Sequence, residues 1–150
     1  MIEIISFSTG DRPDLAEQAN KIRQEVFVVE QHVDPKLEYD EHEAEATHYL
    51  LFVEGKAVAT ARWRETSRGL KLERFATLKS HRNKGLGAIM LEDILDDITP
   101  LGKEIYLHSQ LKAIPFYERH GFVTEGEMFT EAEIEHYTMS RKKQAFNSKQ

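Results

Sequence analysis

A chain of 150 residues with 40% apolar content can bury one core, and its composition is far from that of a disordered segment. Twenty Lys and Arg against 26 Asp and Glu leave a net charge of −6, which argues against nucleic acid as a partner. Cysteine is absent, so disulfides, thiolate nucleophiles and thiolate metal sites are excluded. No apolar run reaches the ~18–20 residues of a membrane span, and the N-terminus lacks the basic flank and small-residue cleavage site of a signal peptide. A cytoplasmic protein that does not bind membranes is expected.

Ile2, Ile4, Ile5 and Phe7 predict a strand over 2–7. Arg12-Pro13-Asp14 opens a helix over 14–30, where Leu15, Ala19, Ile22, Val26 and Val29 recur at helical spacing. The polar, acidic stretch 31–47 contains Pro35 and reads as a loop. Strands are expected at 48–54, 57–66 and 70–78, joined at Glu54-Gly55-Lys56 and Ser67-Arg68-Gly69 as an antiparallel meander. A helix over 84–98 turns Leu86, Ile89, Met90, Ile94 and Leu95 to the sheet and stops at Pro100 and Gly102. A strand at 104–109, a helix at 111–120 with Pro115 in its first turn, and strands at 121–127 and 134–141 complete an alternating α/β domain. The single domain is expected over 1–143, with 144–150 a loose tail.

The most informative segment is the junction Arg82-Asn83-Lys84-Gly85-Leu86-Gly87, where a strand passes into an amphipathic helix. Glycines there allow close backbone approach, and the free N–H groups at the helix start, with the positive dipole end, suit a phosphate or pyrophosphate. Arg82 and Lys84 add charge. A P-loop would need G-x-x-x-x-G-K-S/T, which is missing, and a dinucleotide fingerprint would need glycine where Met90 stands. Arg82, Gly85 and Gly87 instead satisfy R/Q-x-x-G-x-G/A; a plain glycine-rich connector is the alternative. Downstream, Gln110, Ala113, Phe116, Tyr117, Gly121 and Phe122 fit the block N/Q-x-x-A-x-x-F-Y-x-x-x-G-F, with Gln110 where Asn is common.

The two blocks, in this order and separation, resemble the GCN5-related N-acetyltransferases (GNAT). A narrower likeness to small bacterial members runs through Ile22-Arg23, the segment from Val26 to Gln31, Glu38-Tyr39-Asp40-Glu41 and Ala46-Thr47-His48-Tyr49. The segment from Glu131 to Met139 is similar to their E-A-G-I-x-H-x-x-M signature, with Glu133 in place of Gly. The resemblance implies a GNAT-type α+β fold, a mixed and mostly antiparallel sheet flanked by helices. It implies acetyl-coenzyme A as donor, a small-molecule or peptide amine as acceptor, and no metal; such enzymes often form homodimers.

Residue by residue, the resemblance places the cofactor's pyrophosphate on Arg82, Asn83, Lys84, Gly85, Leu86, Gly87 and Ala88. Its pantetheine arm would pair with the backbone of Phe75, Ala76 and Thr77, and Gln110, Ala113 and Phe116 would complete the cofactor wall. Tyr117 falls at the family's acid position, where ordinary aromatic packing is the competing reading. Glu73, on the strand before the loop, is the leading base; a salt-bridged Glu73 is the alternative. With regular alternation, Glu73 and Phe75 share one face of that strand, and Leu72 and Arg74 the other. His136 is a further candidate to line the acceptor pocket or relay a proton, whereas His48 and His108 read as structural. Glu30, Asp40 and Glu41 suggest an acidic rim for the acceptor. A metal site at Asp40, Glu41, His42 and His48 is rejected for want of ligand spacing. Two other functions remain open: a non-catalytic coenzyme A sensor on the same fold, and an RNA-associated module using Arg141-Lys142-Lys143.

Overall fold

The computed structural model describes residues 1–35 and 42–141. The Glu38–Glu41 part of the likeness, the rim residues Asp40 and Glu41, and the tail after Arg141 lie outside them. In chain order the elements are β1 (Ile2–Phe7), α1 (Pro13–Arg23), β2 (Thr47–Val53), β3 (Lys56–Glu65), β4 (Leu70–Thr77), α2 (Leu86–Ile98), β5 (Ile105–Gln110), α3 (Ile114–Glu118), β6 (Phe122–Glu131) and β7 (Ile134–Arg141). They build one seven-stranded sheet in the order β1-β2-β3-β4-β5-β7-β6. Every neighbouring pair is antiparallel except β4 with β5. The parallel pair follows from the α2 crossover, because parallel neighbours cannot be joined by a hairpin. This is the mixed sheet flanked by helices that the sequence suggests.

The sheet buries both faces. α1 lays Leu15, Ala19 and Ile22 on Phe7, Leu50 and Ala76, while α2 packs Met90, Leu91, Ile94, Leu95 and Ile98 against Leu51, Ala59, Leu70 and Leu72. Each such side chain contributes roughly 1.5–3 kcal/mol when fully buried. No helix among the described residues is long and apolar enough to cross a membrane. The β3–β4 turn requires its glycine: a Cβ on Gly69 would stand 2.3 Å from the Glu104 carbonyl oxygen, which accepts the Leu70 N–H at 2.7 Å. That close approach sets the start of the parallel pair.

Several elements depart from the sequence expectation for identifiable reasons. The helix over 14–30 is α-helical only to Arg23 and continues as a π-helix over Gln24–Glu30, closed by Gln31 N–H donating to the Val26 carbonyl at 3.1 Å. The wider winding breaks the 3.6-residue stripe, so Val26 is buried while Val29 is 53% exposed. In α2 the core stripe runs through Met90, Ile94 and Ile98, leaving Ile89 exposed on the flank. Residues 111–120 form a 3₁₀ turn, Leu111–Ala113, followed by the short α3. Pro115 is the cause, since it has no N–H to carry a continuous i→i−4 ladder.

β4 carries the departure that matters most. Its register against β3 slips between Thr60 and Arg62, and Arg74 takes φ +59° in the left-handed region. This bulge resets the alternation. Phe75 therefore joins Leu70 and Leu72 on the α2 side, and Ala76 joins the α1 cluster, instead of Phe75 sharing a face with Glu73. At the β6–β7 hairpin, Ala132 and Glu133 have φ of 52° and 64°, so Glu133 holds the conformation that glycine would favour there.

Candidate active site

β4 and β5 pair only over Leu70–Leu72 with Ile105–Leu107. Beyond Leu72 the bulge carries β4 away while β5 continues along β7, so the seam opens into a cavity of about 370 Å³. Glu73, Phe75, Gln110, Ala113, Tyr117 and His136 all line it. Residues about 60 apart in sequence are thus brought together by one missing stretch of strand pairing.

The cavity wall is titratable on two sides. On β4, Glu73 is buried and accepts from Arg62 Nε at 2.9 Å and Arg64 Nε at 3.0 Å, with Lys71 Nζ at 3.2 Å. Burial alone raises the Glu73 carboxyl, but Arg62, Arg64 and Lys71 outweigh it and bring its pKa down to about 2. Arg62 also reaches Glu43 at 2.5 Å, and Glu43 holds Arg23 beneath α1 at 2.7 Å. Glu73 is therefore part of a buried ion-pair network, the salt-bridged alternative.

On β7, His136 Nδ1 lies 2.7 Å from the Ile134 carbonyl oxygen. A carbonyl only accepts, so Nδ1 carries the proton in the neutral ring and Nε2 keeps its lone pair. The ring stacks on Phe129 at 5.8 Å. Beside it, His108 Nδ1 meets Glu131 Oε1 at 2.9 Å, and Phe129 also packs edge-on against His108 at 5.0 Å. The hydrogen bond from His108, against the opposing effect of burial, lowers the Glu131 pKa. Sequence reading missed the His108–Glu131 pair and Lys71. Strand alternation places Lys71 and Glu73 on one face, but only the β5–β7 register brings His108 and His136 to the same wall.

Tyr117 is 8% exposed and sits edge-on among Phe75, Phe116 and Phe122, with centroids 5.1–6.0 Å away. Its hydroxyl makes no hydrogen bond among the described residues, and burial raises its pKa well above the ordinary value. Gln110 donates from Nε2 to Gln31 Oε1 at 2.9 Å, tying β5 to the end of the π-helix.

The glycine loop lies apart from the cavity lining. Asn83 and Gly85 take φ of 63° and 77°, and α2 begins at Gly85 without a side-chain cap or an acidic residue in its first turn. Asn83, Lys84 and Gly85 are exposed, Gly87 and Ala88 half-buried, and Leu86 is anchored in the core. Arg82 donates from Nε to the Thr77 carbonyl at 2.9 Å and pairs with Glu30 at 2.5 Å, which ties the loop to the end of β4. A Cβ on Gly87 would stand 3.6 Å from the Phe116 ring, so the two sequence blocks touch. His48 is buried, its Nε2 2.9 Å from the Glu43 carbonyl oxygen. Among the described residues no three His, Asp or Glu side chains form a metal-binding group.

The family model for the acetyltransferase (GNAT) domain matches residues 11–143. The chain belongs to the GNAT acetyltransferases. It is 38% identical to an uncharacterised N-acetyltransferase of Bacillus subtilis, YjcF, over 122 residues, which are 80% of this chain and 87% of the relative. It is 35% identical over 128 residues to YyaT of the same organism, covering 83% and 86%. Among solved structures, an acyl-CoA N-acyltransferase from Pseudomonas aeruginosa superposes with a TM-score of 0.86 at 25% identity, over 95% of this chain and all of the other. A GNAT structural neighbour of the same fold, the PaiA N-acetyltransferase of Thermoplasma acidophilum, was solved with coenzyme A; its TM-score is 0.64 at 16% identity, over 95% and 99% of the chains. The opened seam, the uncapped α2 and Tyr117 thus sit in the GNAT acetyltransferase framework.

Proposed function

We propose that this GNAT protein is an N-acetyltransferase that passes an acetyl group from acetyl-coenzyme A directly to a primary amine in a ternary complex. The observation that carries the reading is the opened β4–β5 seam, with Tyr117 on one side and the His136 Nε2 lone pair on the other.

The chain's residues fit the donor. Beyond Leu72 the β5-facing edge of Phe75, Ala76 and Thr77 has no β5 partner, so an extended amide-bearing arm can add to it as a strand. The N–H groups at the start of α2, with Arg82, Lys84 and the αL turn at Gly85, suit a pyrophosphate. Gln110, Ala113 and Phe116 close the side wall. Bound there, the donor supplies a thioester carbonyl.

The amine must lose a proton and attack that carbonyl; the N–C bond forms, the C–S bond breaks, and the thiolate leaves. Amines titrate near ~10.4 and thiols near ~8.5. Tyr117 holds its proton too tightly to hand it fully to such a thiolate, so it acts as a hydrogen-bond donor to the departing sulfur. Glu73, held at about 2, is a poor proton acceptor. We therefore assign proton removal to His136 Nε2, directly or through water, and give Glu73 the role of fixing the cationic wall.

Free-thiol release from acetyl-coenzyme A across a panel of amines tests the reading. Release that requires an acceptor and falls in Tyr117→Phe supports it. Tight donor binding with no release for any amine favours a coenzyme A sensor.

A further inference from the structure

Lys71 is a largely buried cation in the cavity wall. It lies on β4 before the bulge, lines the cavity, and has a side chain only 14% exposed. Its ammonium makes one ion pair among the described residues, 3.2 Å from Glu73 Oε2. That carboxylate is already shared with the guanidinium groups of Arg62 at 2.8 Å and Arg64 at 3.0 Å. Arg64 likewise has no other ion pair among the described residues. A lysine ammonium has three donors, and a largely buried one is costly unless they are met. Lys71 therefore shares Glu73 with two guanidinium groups, and the other carboxylate it acts on, Glu131, is already bonded to His108.

The opposite wall has the reverse character. His136 presents a lone pair at Nε2, and the Glu131 carboxylate is held by His108. The cavity thus has a cationic end on β4 and a proton-accepting end on β7, and at about 370 Å³ it must also admit the donor's acetyl end. The space that remains suits a small acceptor.

We propose that the acceptor is a small amine that also carries an anionic group, a carboxylate or a phosphate, bound by Lys71 while the amine faces His136. This rests on the acetyl-transfer reading of the same cavity. A lysine side chain of a protein or a polyamine has no such anion and would meet Lys71 as a like charge.

The test is calorimetric binding to the protein saturated with coenzyme A, which cannot react. Matched probes are phenylalanine with phenethylamine, alanine with ethylamine, O-phosphoethanolamine with ethanolamine, and glucosamine 6-phosphate with glucosamine. At least one anion-bearing member should bind tenfold or more tightly than its partner that lacks the anion, and the pair that shows this names carboxylate or phosphate. Lys71→Met should erase the preference while coenzyme A affinity stays within twofold, and Lys71→Arg should keep it. The proposal is overturned if no anionic probe outbinds its partner, or if the preference survives in Lys71→Met. Thiol release with acetyl-coenzyme A, run in parallel, separates the two readings. Anion-dependent binding without release sinks acetyl transfer alone; release to amines that lack an anion, without anion preference, sinks the acceptor proposal alone.

Discussion

The two sides of the opened seam are made of different material. The side proposed for the donor is mostly backbone: the β5-facing edge of Phe75–Thr77, the left-handed turn at Gly85, and the uncapped start of α2. The side proposed for the acceptor is made of side chains from separate strands: Lys71 and Glu73 on β4, His108 on β5, Glu131 on β6 and His136 on β7. Backbone geometry is dictated by a few residues in one stretch, whereas a side-chain constellation depends on how distant strands register. Changes on the donor side should therefore appear in cofactor affinity, and changes on the acceptor side in turnover and its pH dependence.

The largest effect should come from His136→Gln, with turnover falling about 10²–10⁴-fold, the range of a lost general base. Cofactor affinity by calorimetry should stay within about twofold. A variant as active as the wild type would move the base elsewhere on this wall.

Glu73→Gln should act mainly on stability. Removing one partner of a buried pair costs about 3–5 kcal/mol, because the nearby cations lose their shared carboxylate. The folded-state pKa is depressed to about 2, so this stabilisation is present above the unfolded value of 4.5 and is lost as pH falls from there through 2. Thermal melts of wild type and variant should differ most at neutral pH and converge toward pH 2. A gap that persists unchanged at the acid end would contradict the network. If Glu73 were instead the base, turnover of Glu73→Gln would fall as far as that of His136→Gln.

Tyr117→Phe keeps the aromatic packing and removes only the hydroxyl. Turnover should drop by about 10²-fold, comparable to losing one hydrogen bond to developing charge, with little change in cofactor affinity. Unchanged turnover would reduce Tyr117 to its contacts with Phe75, Phe116 and Phe122.

The smallest effect belongs to the donor side. Gly85→Val forces a β-branched residue to φ +77°, at a cost of roughly 1–2 kcal/mol, so coenzyme A affinity should weaken by about tenfold without altering turnover at saturation. A Cβ added at Gly85 would meet open space, so the strain and not a clash is being measured. An unaltered dissociation constant would mean that this turn does not hold the pyrophosphate.

Much of the fold was legible because it rests on local pattern. The short β-prone runs of β1, β2, β3 and β7, the turn at Glu54-Gly55, and the stop at Pro100 and Gly102 are short-range signals, and the structure follows them. Where it departs, a local irregularity outweighs the periodicity. The π winding exposes Val29, Pro115 shortens α3, and the Arg74 bulge moves Phe75 to the other face. None of these is signalled by hydrophobic spacing, since each depends on hydrogen-bond pairing that spacing does not encode.

The sequence by itself determined the family, the glycine loop, the helix that presents it and the position of Tyr117, because those features are contiguous and their residue types are constrained by backbone conformation. Only the tertiary structure decided the chemistry of the proposed acceptor wall. It paired Glu73 with Arg62, Arg64 and Lys71, set the free nitrogen of His136, and joined His108 to Glu131. The reason is physical: a side chain's protonation and reach depend on which charges stand within a few ångströms, and in a mixed sheet those neighbours come from strands far apart in the chain.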